Sequence, residues 1–180
     1  KGCSTPLEQI IRVSRSLLCH VLEVLSEEYD KYMKQINDML RKPSKDREEF
    51  FLKLLNNSSG IKIMTYVIDD YFADKLIERA RAGNADIMLI LDKGKGEELR
   101  DIVKKLVDNG IKVGVFENLH AKVYIFDDSL VIEGSANLTR KGLTENEETL
   151  ELKADLKSVK DYVEKFDETW SKSKSPILNE

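Results

Sequence analysis

The chain has 180 residues, of which 41% are hydrophobic and 34% are charged, and its formal net charge is −4 at pH 7. This length is enough to bury the core of one ordinary domain, and the hydrophobic content is that of a globular protein. No apolar run approaches the roughly 18 residues of a spanning helix and no signal peptide is visible, so we expect a cytoplasmic protein without stable membrane association. A small net negative charge neither predicts nor excludes a local basic patch.

Two further features of the composition bear on the setting of the protein. Charged residues exceed the usual quarter and glutamine occurs only at Gln9 and Gln35, a weak resemblance to a thermophile surface. Cys3 and Cys19 lack the spacing of metal ligands, so inert thiols in a reducing compartment are the simpler interpretation. The chain starts at Lys1 rather than Met, which leaves open that it is a fragment of a longer protein.

The first part of the chain is predicted to be helical. Ser4-Thr5-Pro6 offers a helix start, and apolar residues then alternate at intervals of three and four over about three heptads. They are Leu18, Leu25, Tyr32 and Met39 in one heptad position and Leu22, Tyr29 and Ile36 in the other. A helix packed on its own domain and a dimerisation arm fit this seam equally well. Pro43 ends the helix, and a second helix capped by Ser44 or Asp46 follows, with an apolar face of Phe50, Phe51, Leu54 and Leu55.

From residue 61 onward, strands alternate with helices. Strands are predicted at 61–68, 85–91 and 111–116, with helices from Asp69 or Asp70 to near residue 82 and from Gly96 to near residue 108. Strands at 122–126 and 129–133 enclose Asp127-Asp128 and predict a hairpin, and a further strand at 149–152 precedes a final helix at 158–171. The predicted fold class is α/β, with a mixed, mostly parallel sheet flanked by helices and preceded by an N-terminal helical arm.

The residues suited to catalysis or anion binding lie between Leu119 and Glu148. Side chains two apart on a strand share a face, which puts His120 with Lys122, and Ser135 with Asn137. The hairpin at Asp127-Asp128 brings these two pairs side by side, so an imidazole, a cation and neutral donors are expected around one anion. In the strand that follows, Leu150 and Leu152 are expected to face inward, and alternation along the strand puts Glu148 on their side and Glu147 on the exposed side. Glu148 is therefore the better candidate to orient His120.

The pattern His120-x-Lys122-x4-Asp127-x6-Gly134-Ser135-x-Asn137 resembles the HKD signature of the phospholipase D superfamily without a departure. The resemblance extends roughly from residue 61 to 170 and leaves the helical arm outside. It divides the chain into an arm (1–58), a phospholipase D-like catalytic domain (59–172) and a tail (173–180). The motif is specific for the superfamily but says little about the substrate.

The resemblance implies a role for each matching residue. His120 would form a covalent phosphohistidine, Lys122 and Asn137 would bind the non-bridging oxygens with help from Ser135, and Glu148 would orient His120. Asp127 would support the loop or the lysine, although a simple turn acid is nearly as good an interpretation. The resemblance implies no cofactor and no metal. It also demands a second motif, which His20 does not supply, so a homodimer with two HKD motifs facing across a twofold axis is expected. A second motif elsewhere in a longer chain is the competing explanation.

Weaker candidates and competing functions remain. Arg140 and Lys141 are candidates for contact with a nucleic-acid backbone, and a solvated turn is an equally good interpretation of them. Thr65 and Tyr66 are candidates for the mouth of the pocket, although core packing is the simpler interpretation. Lys93-Gly94-Lys95-Gly96 resembles a phosphate-binding loop but lacks the full spacing. A nuclease is favoured over a lipid phosphodiesterase because the chain is small and has no basic amphipathic stretch. The third hypothesis is a non-catalytic ligand-binding or dimerisation domain, as in the TrmB-like transcription regulators.

Overall fold

The computed structural model describes the backbone of residues 6–176 and the side chains of residues 17–176. The predicted helix start at Ser4 and Thr5, and Cys3, lie outside the described residues. Cys19 is a free thiol on the surface. The chain divides into two compact units, Lys1–Ile36 and Asn37–Glu180.

The first unit holds most of a long helix, α1 (Pro6–Leu40), as the heptad pattern predicted. Large apolar side chains between residues 17 and 32 are 44–62% exposed, and the ones described are Leu17, Leu18, Val21, Leu22, Val24, Leu25, Tyr29 and Tyr32. An exposed apolar face of this kind is typical of an interaction surface.

The second unit is built on a six-stranded sheet with helices around it. Its elements in chain order are α2 (Lys45–Asn57), β1 (Gly60–Thr65), α3 (Asp70–Arg81), β2 (Asp86–Asp92), α4 (Lys93–Glu98), α5 (Arg100–Asp108), β3 (Lys112–Phe116), β4 (Val123–Phe126), β5 (Leu130–Gly134), α6 (Arg140–Thr144), β6 (Leu150–Lys153) and α7 (Leu156–Lys172).

The strand order is β3-β2-β1-β4-β5-β6. The β1–β2 and β2–β3 pairs are parallel, while β1–β4, β4–β5 and β5–β6 are antiparallel. It follows that β1, β2, β3 and β5 run in one direction and β4 and β6 in the other. The predicted fold class, a mixed and mostly parallel sheet flanked by helices and preceded by an N-terminal helix, is confirmed.

Helix α2 packs against the sheet, although the sequence pattern grouped it with the arm. Ser44 caps it by accepting a hydrogen bond from the Arg47 amide at 3.1 Å. The Phe51 ring, which is buried, meets three other aromatic rings edge-on at 5.1–5.7 Å, those of Phe72, Tyr124 and Phe126. These aromatic contacts bury the face of the sheet that α2 covers.

Several local details differ from the predictions. The helix expected from residue 96 to 108 is two helices that meet at Leu99, because the Asp92 carboxylate accepts from the Gly94 and Lys95 amides and starts α4 early. The β4–β5 hairpin contains three connecting residues rather than two, with Phe126 opposite Leu130. Helix α6 was not foreseen. Lys174, in the predicted tail, pairs with edge strand β3 through two hydrogen bonds to Val115 of 2.8 and 2.9 Å.

Candidate active site

The direction of the strands explains why the motif residues meet. The carboxyl ends of β1, β2, β3 and β5 lie at the same end of the sheet as the amino ends of β4 and β6. The segment before β4 carries His120 and Lys122, the segment after β5 carries Ser135 and Asn137, and the segment before β6 carries Glu148. All five residues therefore belong to connections at one edge, where ligand sites of such sheets commonly form.

His120 lies in an irregular segment and its side chain is exposed. Its ring is stacked on Tyr66, with the ring centroids 6.3 Å apart and an angle of 14° between the planes. The Lys122 ammonium donates to the His120 carbonyl at 3.0 Å, and the Lys122 carbonyl accepts from the Gly134 amide at 3.1 Å. The two halves of the HKD pattern are thus joined directly through the backbone.

Ser135 and Gly134 sit against the start of β6. The Ser135 amide donates to the Thr149 carbonyl at 2.9 Å, and the Ser135 hydroxyl accepts from the Thr149 amide at 3.0 Å. A Cβ atom added at Gly134 would lie 2.1 Å from the Thr149 carbonyl oxygen. Only glycine permits this close approach, as its place in the motif had suggested.

The side chain of Asn137 contacts Thr65, the last residue of β1. The Asn137 side-chain oxygen lies 3.4 Å from the Thr65 hydroxyl, which shares its proton between this oxygen and the Val67 carbonyl at 3.0 Å, and the Asn137 amide nitrogen is a donor. The same hydroxyl accepts from the Leu138 amide at 3.2 Å. Thr65 is fully buried, so the structure places it behind Asn137, whereas Tyr66 is partly exposed beside His120.

Tyr124 holds the same segment from within the core. Its hydroxyl donates to the Ala136 carbonyl at 2.7 Å, and both residues are fully buried. Burial raises the pKa of Tyr124 far above its ordinary value, so the phenol stays protonated and remains a donor. The backbone on both sides of Asn137 is therefore fixed by buried hydroxyl groups.

Arg47, which lies outside the HKD pattern, binds the segment that leads to Glu148. Its guanidinium is fully buried and donates to four carbonyls, those of Leu40, Gly142, Leu143 and Glu148, at 2.6–3.1 Å. Burial lowers the pKa of Arg47, while the negative charge of Glu148 acts in the opposite direction. A signal was present in the sequence, because Arg47 precedes Phe51 and Leu55 by four and eight residues and so shares their buried face.

Glu148 itself is partly buried; its carbonyl accepts from Arg47 and its amide donates to the Asn146 carbonyl, both at 2.6 Å. The contact between its carboxylate and His120 stays a prediction.

Asp92 ties the segment before His120 to α4. One carboxylate oxygen accepts from the Gly94 and Lys95 amides at 3.0 and 3.4 Å, and the other accepts from the Leu119 amide at 3.1 Å. Leu119 is buried and directly precedes His120. An acid followed by a glycine-rich turn at the end of a strand was the available signal for this role.

Asp127 lies at the opposite end of β4 from His120. Its carboxylate accepts from the Ser59 and Gly60 amides, both at 2.8 Å, and these residues precede and begin β1. The hydrogen bond from Gly60 is the largest of the effects that hold the pKa of Asp127 below its ordinary value. Its position fits the interpretation of a turn acid that supports the scaffold.

Arg140 and Lys141 start α6, and both are exposed. The Arg140 guanidinium lies 5.1 Å from the centroid of the Tyr71 ring and 3.9 Å from a Glu48 oxygen. Tyr71 also forms a side-chain hydrogen bond with Glu48, and this bond is the main cause that raises the pKa of Tyr71 to about 12. The contacts described for Arg140 are thus with α2 and α3 rather than with His120.

Residues 6–176 show neither a metal-ion cluster nor a membrane-spanning helix. No cluster of three or more His, Cys, Asp or Glu side chains suited to a metal ion occurs in this part of the chain. No helix within the same residues is long and apolar enough to cross a membrane.

Several solved structures share this fold. Nuc from Salmonella typhimurium, described as a phospholipase D family member, is 20% identical with a TM-score of 0.64; the match covers 71% of this chain and 89% of Nuc. NucT from Helicobacter pylori is 19% identical with a TM-score of 0.65, over 73% of this chain and 91% of NucT. TrmBL2, described as an archaeal chromatin protein with a novel mode of DNA binding, is 17% identical with a TM-score of 0.53, over 94% of this chain and 69% of TrmBL2.

Comparison with curated proteins gave no match. The family model described as cardiolipin synthase, PLD-like domain, matches residues 51–170, which is well over half of the chain and includes every residue of the HKD pattern. The chain therefore belongs to the phospholipase D superfamily, within the PLD-like domain family that this model describes.

Proposed function

We propose that the protein is a metal-independent phosphodiesterase that cleaves nucleic acid. The observation that supports the proposal is that the segments carrying the exposed His120, Lys122, Ser135 and Asn137 all lie at one end of the sheet. These are a nucleophile, a cation and two neutral donors, which is the set that a phosphodiester needs when no metal takes part.

In the proposed reaction, an imidazole nitrogen of His120 attacks the phosphorus and forms a P–N bond. The P–O bond to the leaving group breaks, and a second histidine gives that oxygen its proton. Water, losing a proton to the same second histidine, then attacks phosphorus, breaks the P–N bond and regenerates His120. Lys122 and the Asn137 amide stabilise the charge on the non-bridging oxygens, Ser135 assists, and Glu148 orients His120.

The second histidine is expected from another copy of the chain. The chain has two histidines, and His20 lies in α1 without a neighbouring HKD pattern. We therefore propose a homodimer in which two copies of His120 face one another across a twofold axis. The exposed apolar face of α1 is a candidate for bringing the copies together.

The size of the similar structures favours nucleic acid over lipid as the substrate. The match covers 89% of Nuc and 91% of NucT but only 36% of a phosphatidylserine synthase from Haemophilus influenzae, which is 12% identical. The chain thus resembles the small members of the superfamily along nearly their whole length. The description of the family model names a lipid enzyme, so headgroup release from phospholipid vesicles belongs in the substrate panel.

The experiment compares the wild type with His120→Ala on single-stranded DNA, double-stranded DNA and RNA in the presence of EDTA. We expect the wild type to cleave at least one of these, and His120→Ala to lose more than about 10³-fold in rate. His20→Ala serves as a matched control and is expected to retain full activity. Cleavage that survives in His120→Ala would exclude His120 as the nucleophile.

A non-catalytic domain of a regulator is the second candidate. TrmBL2 matches over 94% of this chain, whereas Nuc and NucT match over 71% and 73%. DNA binding by the wild type without cleavage of any substrate in the panel would favour this candidate. The complete HKD pattern favours catalysis.

A further inference from the structure

Lys95, which is not part of the HKD motif, lies near His120, and the Tyr66 ring contacts both residues. The Lys95 ammonium lies over the Tyr66 ring, 5.9 Å from its centroid. The Tyr66 ring is in turn stacked on His120, with 6.3 Å between centroids. Placed end to end, these two distances cover fewer than four phosphate spacings of a strand, taken as roughly 3.4 Å each. One bound strand can therefore reach both residues.

Lys95 is held by the same support as His120. The Asp92 carboxylate accepts from the Lys95 amide with one oxygen and from the Leu119 amide with the other. The backbone of Lys95 and the residue that precedes His120 are thus fixed to one side chain at the end of β2. This shared support fixes the two backbone segments that carry Lys95 and His120 relative to each other, as a binding subsite requires.

The ammonium of Lys95 is available for exchange. Its partner is the Glu98 carboxylate, which is 61% exposed, while the Lys95 side chain is 28% exposed. Exposed ion pairs of this kind add little stability, so a phosphate can replace the carboxylate at small cost. The hydrogen bond that the Lys95 ammonium donates to the Glu98 carboxylate raises the pKa of Lys95, which keeps the side chain charged.

We infer that Lys95, positioned over Tyr66, binds a second phosphate of the substrate strand, fewer than four phosphates away from the one that His120 attacks. The inference rests on the proposed function and narrows it to substrates with successive phosphodiesters. A lysine suits this role because it acts as a point charge and does not require a fixed orientation of the phosphate. Tyr66 acts as a positioning residue between Lys95 and His120.

The test uses Lys95→Gln and two substrates, an oligonucleotide and bis(p-nitrophenyl) phosphate, which carries a single phosphate. We expect KM for the oligonucleotide to rise about tenfold with kcat unchanged, and the slope of log affinity against log salt to fall by about one. Cleavage of bis(p-nitrophenyl) phosphate should not change. Lys95→Arg should restore most of the affinity.

The matched control is Lys104→Gln. Lys104 forms an ion pair of 3.5 Å with Asp108 in the last turn of α5, which leads to the opposite edge of the sheet. This variant removes the same charge away from His120 and should leave KM unchanged. An equal rise in KM for both variants would show a general charge effect and overturn the inference.

Binding separates this inference from the proposed function. In the His120→Ala background, fluorescence anisotropy with a labelled oligonucleotide measures affinity without cleavage. We expect Lys95→Gln to weaken binding about tenfold there, and an unchanged Kd would overturn the role of Lys95 even if the wild type is a nuclease. Absence of cleavage by the wild type would instead remove the proposed function.

Discussion

At the scale of single residues, the buried Arg47 makes the strongest prediction about stability. Arg47→Met keeps much of the side-chain volume but leaves four carbonyls without their donor. A buried polar group that loses its partner costs about 1–3 kcal/mol, so we expect the free energy of unfolding to fall by at least about 2 kcal/mol. Activity should fall as well at temperatures where the variant remains folded, because Glu148 loses its clamp. Urea titration followed by circular dichroism measures the first effect.

Arg41→Met is the control for this prediction. Arg41 is exposed and lies 3.5 Å from Asp38 on the surface. Its replacement should change stability by less than about 0.5 kcal/mol. Equal stability of the two variants would mean that the buried guanidinium does not hold the segment before Glu148.

Single residues also show where sequence reasoning stopped. The HKD pattern located His120, Lys122, Ser135 and Asn137 because a motif has fixed spacing along the chain. Arg47 is roughly a hundred residues away in sequence from the carbonyl of Glu148, and no local spacing connects the two. Asp92 and Leu119 are likewise joined only when β2 and β3 pair. Contacts of this type depend on the register of the sheet, which hydrophobic patterns do not define to one residue.

At the scale of elements, the β4–β5 hairpin predicts a pH dependence. Asp127 and Asp128 both have positive φ angles, 51° and 47°, which asparagine and aspartate tolerate better than most residues. Asp127→Asn therefore keeps the turn but removes the charge that accepts from Ser59 and Gly60. We expect a modest loss of stability at pH 7.

The sign of the pH effect follows from the direction of the pKa shift. The pKa of Asp127 is lowered in the folded state from its ordinary value of 3.8. The carboxylate therefore stabilises the fold above that value, and its contribution is lost as the pH falls through the lower, folded-state pKa. The difference in unfolding free energy between the wild type and Asp127→Asn should be present at pH 7 and shrink toward pH 3. A difference that stays constant with pH would exclude the carboxylate charge as its cause.

Elements were predictable where local chemistry decides them. Capping residues narrowed the start of α2 to Ser44 or Asp46 and that of α3 to Asp69 or Asp70, and the structure has Ser44 and Asp69 as the caps. Apolar runs located the strands. The division between α4 and α5 was not predicted. Asp92 caps a helix that starts at Lys93, but Gly94 and Gly96 disfavour a helix at this point, so the pattern indicated a later start. Helix α6 has five residues, too few for a periodic pattern to be recognised.

At the scale of the whole molecule, the proposed homodimer predicts that activity depends on protein concentration. One copy supplies one His120, so a monomer lacks the residue that protonates the leaving oxygen. On dilution, activity per chain should fall in step with the dimer fraction measured by analytical ultracentrifugation. Full activity from a species of monomeric mass would rule out the shared site.

The exposed face of α1 gives the last prediction. Leu18 and Leu25 are seven residues apart, on one side of the helix, and are 59% and 60% exposed. If this face joins two copies, the double replacement Leu18→Asp with Leu25→Asp should abolish the dimer and reduce activity by more than tenfold, because charges at the seam lose their solvation. His20→Asp adds a charge on the other side of the same helix and should leave both mass and activity unchanged. A dimer that persists with both aspartates present would assign the interface to the catalytic domain alone.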